Sequence, residues 1–298
     1  MTQSMKPDAS GTNAMAPFDG SAAIIFGGGR NIGRAIALEF ARRGARVVAA
    51  DIDGEGAGET AKLIRAAGGE AWGVRGDVSS EDSVREAADE AVRRLGEIDI
   101  VMNNAGILSG GNPEDIPLSE WQRVMDINLF GMVRSNQVFL PRMLARGRGY
   151  IVNTASFAGL YPFATSRIHY AATKAAVVSM SENLALYLMP KGIRVSCLCP
   201  GPVMTTSLQG MKHFTPEYTL RAPGSHLTLK SQEETAIILA DGMRDGRIII
   251  PTHDELWETL KQRAASPDAF IRKKNDEFES GDSGRPHVPE HFLRAPGA

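Results

Sequence analysis

Residues 26–37 read Phe-Gly-Gly-Gly-Arg-Asn-Ile-Gly-Arg-Ala-Ile-Ala. They follow a short apolar run, AAIIF (22–26), and lead into a helical pattern, NIGRAIALEFARRG (31–44). A strand that passes through glycines into a helix aims backbone amides and the positive end of the helix dipole at one point, where a pyrophosphate is well held. Glycine there also lets the backbone approach a ligand with no Cβ in the way. Asp51 ends the next apolar run, RVVAA (46–50), 18 residues beyond Gly33 (51 − 33). A carboxylate at that place accepts from both hydroxyls of a ribose and repels a 2′-phosphate.

Further along, AWGVRG (71–76), IDIVMN (98–103), GYIVNTA (149–155) and IRVSCLC (193–199) are near-continuous apolar runs, the pattern of parallel strands covered on both faces. Helical patterns lie between them and mostly stop at Gly or near Pro. The alternation predicts an α/β fold, a Rossmann-type doubly wound parallel sheet flanked by helices, as one domain over 18–278. Residues 1–17 read as a flexible N-terminal extension and 279–298 as a flexible tail. Residues 201–230 lack periodicity and read as a substrate loop; a helix (231–244), a strand RIIIP (247–251) and a charged helical extension follow.

The 298 residues are 43% hydrophobic and 23% charged, with a formal net charge of -2. That balance offers no polybasic field, so neither nucleic acid nor an anionic membrane is an expected partner. No apolar run is long enough to span a bilayer, and the N-terminus lacks the apolar core of a secretory signal, so a cytoplasmic location is expected. Cys197 and Cys199 read as small core residues, and no Cys/His cluster has zinc spacing, so no metal is expected.

With these motifs in order, the sequence resembles the short-chain dehydrogenase/reductase family. The family's signature Thr-Gly-x-x-x-Gly-x-Gly falls on Phe26, Gly27, Asn31 and Gly33. Phe26 replaces the usual Thr and Asn31 the usual middle Gly; Asn tolerates left-handed backbone better than most residues. The resemblance implies a dinucleotide held by Gly27, Arg30, Asn31, Ile32 and Gly33, with Asp51 and Ile52 at the adenosine ribose. Asp77-Val78 match the adenine-contacting pair, and Asn103-Asn104-Ala105-Gly106 match the NNAG segment that walls the adenosine pocket. Pro200-Gly201-Pro202-Val203-Met204-Thr205 resembles the Pro-Gly motif, implying that Val203 and Thr205 contact the nicotinamide carboxamide. Asp51 followed by Ile52 favours NAD over NADP, although Arg30 stands where NADP-preferring relatives often carry a base.

Tyr170 and Lys174 are spaced i,i+4 and share one helical face. An ammonium near a phenol favours phenolate. The resemblance implies Tyr170 as general base or acid, Lys174 as its partner, Ser156 as the substrate-orienting hydroxyl, and Asn128 as holder of a water that joins Lys174 to solvent. Ser156 and Tyr170 lie 14 apart (170 − 156), one more than the family's commonest spacing, and the loop LYPFATSRI (160–168) can absorb it. His169 reads as an exposed residue at a helix start.

Ser156, Phe157, Tyr161, Phe163, Met204, Leu208, Met211 and Phe214 form an expected substrate rim that is apolar and aromatic. It suits a bulky, apolar or aromatic secondary alcohol, or its ketone, as the small-molecule partner. The C-terminal stretch GRIIIPTHDELWETLKQRAASPDAF is similar to a subgroup that includes bacterial aryl-alcohol Cα-dehydrogenases. The expected function is hydride transfer between such an alcohol and NAD, in a homodimer or homotetramer built at least through the two long helices. An NADPH-dependent ketone reductase, or a non-catalytic dinucleotide-binding redox sensor, are the alternatives.

Overall fold

The computed structural model describes residues 17–206, 209, 211–282, 284–289 and 292. The strands are β1 (Ala22–Phe26), β2 (Arg46–Asp51), β3 (Ala71–Arg75), β4 (Ile100–Asn103), β5 (Ser109–Gly110), β6 (Gly149–Thr154), β7 (Ile193–Cys199), β8 (Lys212–His213) and β9 (Ile249–Pro251). Among the described residues, seven form one parallel sheet in the order β3-β2-β1-β4-β6-β7-β9, and β5 pairs with β8 as a separate short ladder. The helices are α1 (Asn31–Arg42), α2 (Gly54–Ala66), α3 (Glu81–Leu95), α4 (Leu118–Met125), α5 (Gly131–Arg146), α6 (Ile168–Leu188), α7 (Gln232–Arg244), α8 (Leu256–Ala265) and α9 (Pro267–Glu279).

The expected doubly wound sheet is present, and the apolar runs explain it. Every residue of β1 is buried, as are all but the first of β2 and β6. One core fills the face that carries α1 and α7, with Ile25, Ile36, Phe40, Val47 and Leu239 in it; the opposite face packs Ile24, Val48, Ala88, Phe139 and Ile151 beneath α3 and α5. Residues 247–251 shorten to β9, which pairs in parallel with β7 and adds the seventh strand.

β1 pairs with β2 on one side and β4 on the other, so the chain reverses its direction of travel across the sheet between them. Ligands of open α/β sheets bind at the carboxyl ends of strands beside such a switch point. The helix starts differ accordingly. α2, α3, α7 and α9 begin on Asp53, Ser80, Ser231 and Ser266, whose side chains accept the first amides. α1 begins on Arg30 with no side-chain cap, leaving its amides open at the switch point.

The long pattern before Gly149 is α4 and α5 joined without a break by a π turn, Asp126–Phe130. Of the expected extension, residues 1–16 lie outside the described residues, while Pro17 is buried and Phe18 packs on Phe40 at 4.8 Å between ring centres. In the expected tail, the Leu229 amide donates to His287 and the His287 amide to Leu227, so this segment runs back along the substrate loop.

Candidate active site

The glycine turn is held by backbone packing. Gly27 has φ +78, and a Cβ there would meet the Ala105 nitrogen at 2.6 Å. A Cβ on Gly33 would lie 1.8 Å from the Gly27 carbonyl oxygen. Asn31 adopts φ 48, the sole left-handed non-glycine among the described residues, a conformation that asparagine tolerates better than most. Its Oδ1 accepts from the Thr206 amide and hydroxyl at 3.2 and 3.0 Å, tying the turn to the loop after β7. Ile32 is half-buried against the core, and Arg30 is exposed.

Asp51 ends β2 beside this turn, 8% exposed, its carboxylate accepting from the Gly29 and Asp53 amides at 2.9 and 3.0 Å. Ile52 points to solvent. Asp77 accepts from the amide and hydroxyl of Ser79, and the hydroxyl bond holds its carboxyl below the ordinary carboxylate range. Buried Val78 packs on Gly131, where an added Cβ would touch it at 2.9 Å. Asn104 donates to the Gly27 carbonyl at 3.1 Å and accepts from the Thr154 hydroxyl at 3.2 Å, while Asn103 donates to Asn153 at 2.9 Å. These bonds brace the wall in which Ala105 and Gly106 sit. An uncapped α1 start, a side-chain-free turn and a carboxylate at the end of β2 are the donor and acceptor set that a dinucleotide requires, and the residues present fit one.

The second group gathers at the ends of β4 and β6. Ser156 follows β6, and its hydroxyl accepts from the Ala158 amide at 3.2 Å. Two 3₁₀ turns, Phe157–Gly159 and Thr165–Arg167, lie between it and Tyr170. Lys174 is 3% exposed and donates to the Thr154 carbonyl at 2.7 Å, its Nζ lying 5.6 Å from the centre of the Tyr170 ring. Asn128 sits in the π turn, a distortion frequent at functional sites, and is fully buried. Its amide accepts from and donates to Ile107 at 2.8 and 2.9 Å, and donates to Thr173 at 3.3 Å. A Cβ on Gly106 would lie 3.4 Å from Asn128 Oδ1 and 3.6 Å from Lys174 Nζ, so the two side chains converge on that glycine.

Burial dominates the electrostatics here. It raises Tyr170 above the ordinary phenol value, opposed by the Ser156 hydrogen bond and the Arg167 charge, and it pushes Lys174 down to about 8. Lys174 donates to the Thr154 carbonyl while lying beside the Tyr170 ring, and the Arg167 charge also acts to lower the phenol.

Part of the expected substrate rim is corrected. Phe157, Tyr161 and Phe163 are 1%, 3% and 6% exposed and belong to a third core with Val177, Leu256 and Phe270. α8 and α9 cover these rings; Tyr161 meets Phe270 edge-on at 6.3 Å between centres and donates to the Pro223 carbonyl at 3.1 Å. Met204 is exposed, Met211 buried and Phe214 half-buried, the last donating its amide to Gly110 at 2.8 Å; Leu208 lies outside the described residues. His169 is fully buried rather than exposed, its Nε2 2.7 Å from the Ser109 hydroxyl, which donates to Glu120 at 2.7 Å.

The loop after β7 carries contacts that no sequence spacing announced. Pro200 accepts from the Phe157 amide, the Gly201 amide donates to the Thr252 hydroxyl at 2.8 Å, and that hydroxyl lies 2.8 Å from His253 Nδ1. His253 Nε2 faces the Thr228 carbonyl at 2.6 Å, so Nε2 bears the proton and Nδ1 accepts. Val203, beside the partly exposed Thr205, bridges to Lys230.

Fold and site together define a Rossmann-type α/β oxidoreductase. The chain belongs to the short chain dehydrogenase family, whose model matches residues 21–215. It is 37% identical over 201 residues to the 7alpha-hydroxysteroid dehydrogenase of Escherichia coli K12, covering 67% of this chain and 76% of that protein. It is 38% identical over 193 residues to the 1-deoxy-11-beta-hydroxypentalenate dehydrogenase of Streptomyces exfoliatus, covering 64% of this chain and 70% of that one. Among solved structures, a short chain dehydrogenase/reductase from Burkholderia phymatum in complex with NAD superposes with a TM-score of 0.74 at 32% identity, over 86% of this chain and 96% of that one. Among the described residues no helix is long and apolar enough to cross a membrane.

Proposed function

We propose that this protein is a dehydrogenase that oxidises a bulky, largely apolar secondary alcohol with NAD, and reduces the ketone in reverse. The observation that carries the reading is the gathering of Ser156, Tyr170 and Lys174 at the ends of β4 and β6, with Lys174 Nζ 5.6 Å from the centre of the Tyr170 ring. Similarity to dehydrogenases of a hydroxysteroid and a hydroxypentalenate supports a polycyclic or comparably bulky carbinol. NAD rather than NADP is supported by the Asp51 carboxylate, by Ile52 beside it, and by a related structure solved with NAD.

In this reading Ser156 and Tyr170 bind the alcohol oxygen between them. Tyr170, as phenolate, takes the hydroxyl proton onto its Oη as the carbinol C–H bond breaks. The bound cofactor supplies a hydride acceptor at that carbon and a positive ring charge nearby. Gly27, Asn31 and Gly33 position the pyrophosphate, and Val203 and Thr205 hold the far end. Asn128 keeps the 106–107 backbone and the Tyr170 helix in register. A dimer through α5 and α6 is supported by Leu186, Tyr187 and Met189 standing exposed at the end of α6. The cytoplasm is the proposed location.

Tyr170→Phe tests the mechanism. It is expected to lower kcat by roughly three orders of magnitude while NADH binding, followed by fluorescence, stays within about threefold. Turnover at the wild-type rate in that variant rejects the assignment, and faster turnover with NADP than with NAD rejects the cofactor assignment.

A further inference from the structure

Tyr170 stands in the first turn of α6, whose start carries no side-chain cap. The free amides of a first turn let it fray, and the phenol oxygen lies at the far end of its side chain, where any tilt of the turn is magnified. The segment is tied down from outside. The Gly111 amide donates to the Ser166 carbonyl at 3.1 Å, and Arg167 donates to the Arg221 carbonyl at 2.7 Å. A third tie is made by His169, the neighbour of Tyr170, which is fully buried with its Nε2 2.7 Å from the Ser109 hydroxyl. Ser109 is fully buried as well, and its hydroxyl lies 2.7 Å from Glu120 Oε1.

Proton count fixes the direction of this chain. Arg123 grips both Glu120 oxygens, Nε on Oε2 at 2.9 Å and Nη2 on Oε1 at 2.6 Å, and Lys212 Nζ stands 3.8 Å from Oε2. Burial acts to raise Glu120, but the hydrogen bonds from Arg123 and Ser109 outweigh it and hold the carboxyl below the ordinary carboxylate range. An ionised carboxylate only accepts, so the single Ser109 proton goes to Glu120 and the hydroxyl oxygen accepts from His169 Nε2–H. Nδ1 is then bare. It is buried with no hydrogen-bond partner among the described residues, so a second proton on the ring would be left unsatisfied there. The imidazole is therefore neutral, the direction in which burial also pushes it. Three elements meet in this chain: Glu120 comes from α4, Ser109 from β5, which pairs with Lys212 of β8, and His169 from α6.

We propose that Glu120, Ser109 and His169 are positioning residues, a buried brace that holds Tyr170 in its reacting place; this rests on the dehydrogenase reading above and adds residues to it. Serine, histidine and an acid match the parts of a nucleophilic triad, but their order does not. In a triad the imidazole lies between the acid and the hydroxyl and takes the hydroxyl proton. Here the serine lies in the middle, gives its proton to the acid and is closed to any substrate. A buried ion pair adds little net stability over apolar packing of the same volume, yet its directional bonds admit one register. That is what a reacting group needs, since a misplacement of about 1 Å can cost about 100-fold in rate. Because Ser109 belongs to the β5–β8 ladder, the same brace sets Tyr170 against the loop after β7.

The test uses the full-length enzyme with whichever of menthol, isoborneol and cholic acid the wild type oxidises fastest. His169→Leu and Ser109→Ala are each expected to lower kcat by about tenfold or more, while KM for the alcohol and NADH affinity, read by fluorescence, move less than about threefold. His169→Gln, whose amide nitrogen can donate to Ser109, should recover most of the loss. Both substitutions cut one chain, so the double variant should lose no more than about threefold beyond the worse single one. A kcat within about twofold of wild type in both single variants overturns the brace. So do losses that multiply in the double variant, and so do equal losses in kcat, KM and NADH affinity, which mark a merely structural role. Nitrogen NMR spectra of the wild-type histidines decide even if the variants fail to fold: His169 is expected as the neutral Nε2–H tautomer, and a charged or averaged imidazole overturns the chain. Lack of turnover with all three alcohols and their ketones, with NAD and NADP alike, overturns the dehydrogenase reading itself.

Discussion

The turn after β1 and the loop after β7 are both irregular backbone at the carboxyl ends of strands, yet they are held in opposite ways. The first is fixed by what is missing. Side chains are absent at Gly27 and Gly33, and carbonyls and amides fill the space that a Cβ would take. The second is fixed by side chains from distant positions, with Thr252 and His253 clasping Gly201 and Thr228, and by pairing of 202–204 with Lys230. A site made of backbone tolerates almost no substitution but demands little of the rest of the chain. One made of long-range polar clasps can be refitted to a new substrate by changing the clasps. The turn after β1 is thus the part least open to substitution, and the loop after β7 the more adaptable one.

The strongest way to break this contrast is Gly33→Ala. The added methyl would stand 1.8 Å from a backbone oxygen, so α1 must shift at its start. We expect NADH affinity to fall by more than about 100-fold and stability by several kcal/mol, measured by fluorescence titration and urea unfolding. Wild-type affinity in that variant would mean that the turn is not the rigid element described.

Lys174 lies where the two halves meet, and its burial makes a stability prediction with a definite sign. Its folded value, about 8, lies below the ordinary 10.5. Below pH 8 the native state therefore carries a buried ammonium that the unfolded chain solvates freely, a penalty of about 3 kcal/mol. The penalty fades as pH climbs from 8 toward 10.5, because the native state has already shed the proton. Lys174→Met is accordingly expected to abolish turnover yet raise stability at pH 7 by roughly 1–3 kcal/mol, less the lost Thr154 hydrogen bond. The gain should shrink at pH 10. A gain that grows with pH contradicts the burial argument.

The adaptable half should respond in KM. His253→Phe keeps a ring against Phe157, at 5.8 Å between centres in the native protein, but removes both hydrogen bonds and leaves the Thr228 carbonyl unpaired. KM for the alcohol is expected to rise about tenfold while NADH affinity changes less than about threefold. Equal losses in both would show that the two halves are not separately held.

The same contrast explains what could be read from the sequence. Buried strands, the glycine turn, the left-handed Asn31 and the Tyr170–Lys174 pair are local patterns, set by periodicity, by steric exclusion and by helical spacing. The residues that escaped are those whose environment comes from far along the chain. Phe157, Tyr161 and Phe163 read as a rim because nothing nearby shows that α8 and α9, about a hundred residues later, cover them. His169 read as exposed because its partners, Ser109 and Glu120, arrive from β5 and α4.

The smallest effect, and the most local, concerns the segment after Asp282. Among the described residues it meets the loop after β7 through backbone bonds: the Gly224 amide donates to Gly284, Leu229 to His287, and His287 to Leu227. The opposite edge of the same loop is held independently, with the Lys230 amide on Pro202 and the Met204 amide on Lys230. Ending the chain at Asp282 should therefore free one edge and leave the other. Hydrogen exchange is expected to quicken at the Gly224 and Leu229 amides while Lys230 and Met204 stay protected, with KM for the alcohol raised by about threefold or less. If Lys230 and Met204 lose protection as well, the segment holds the whole loop closed, and the two edges are one clasp.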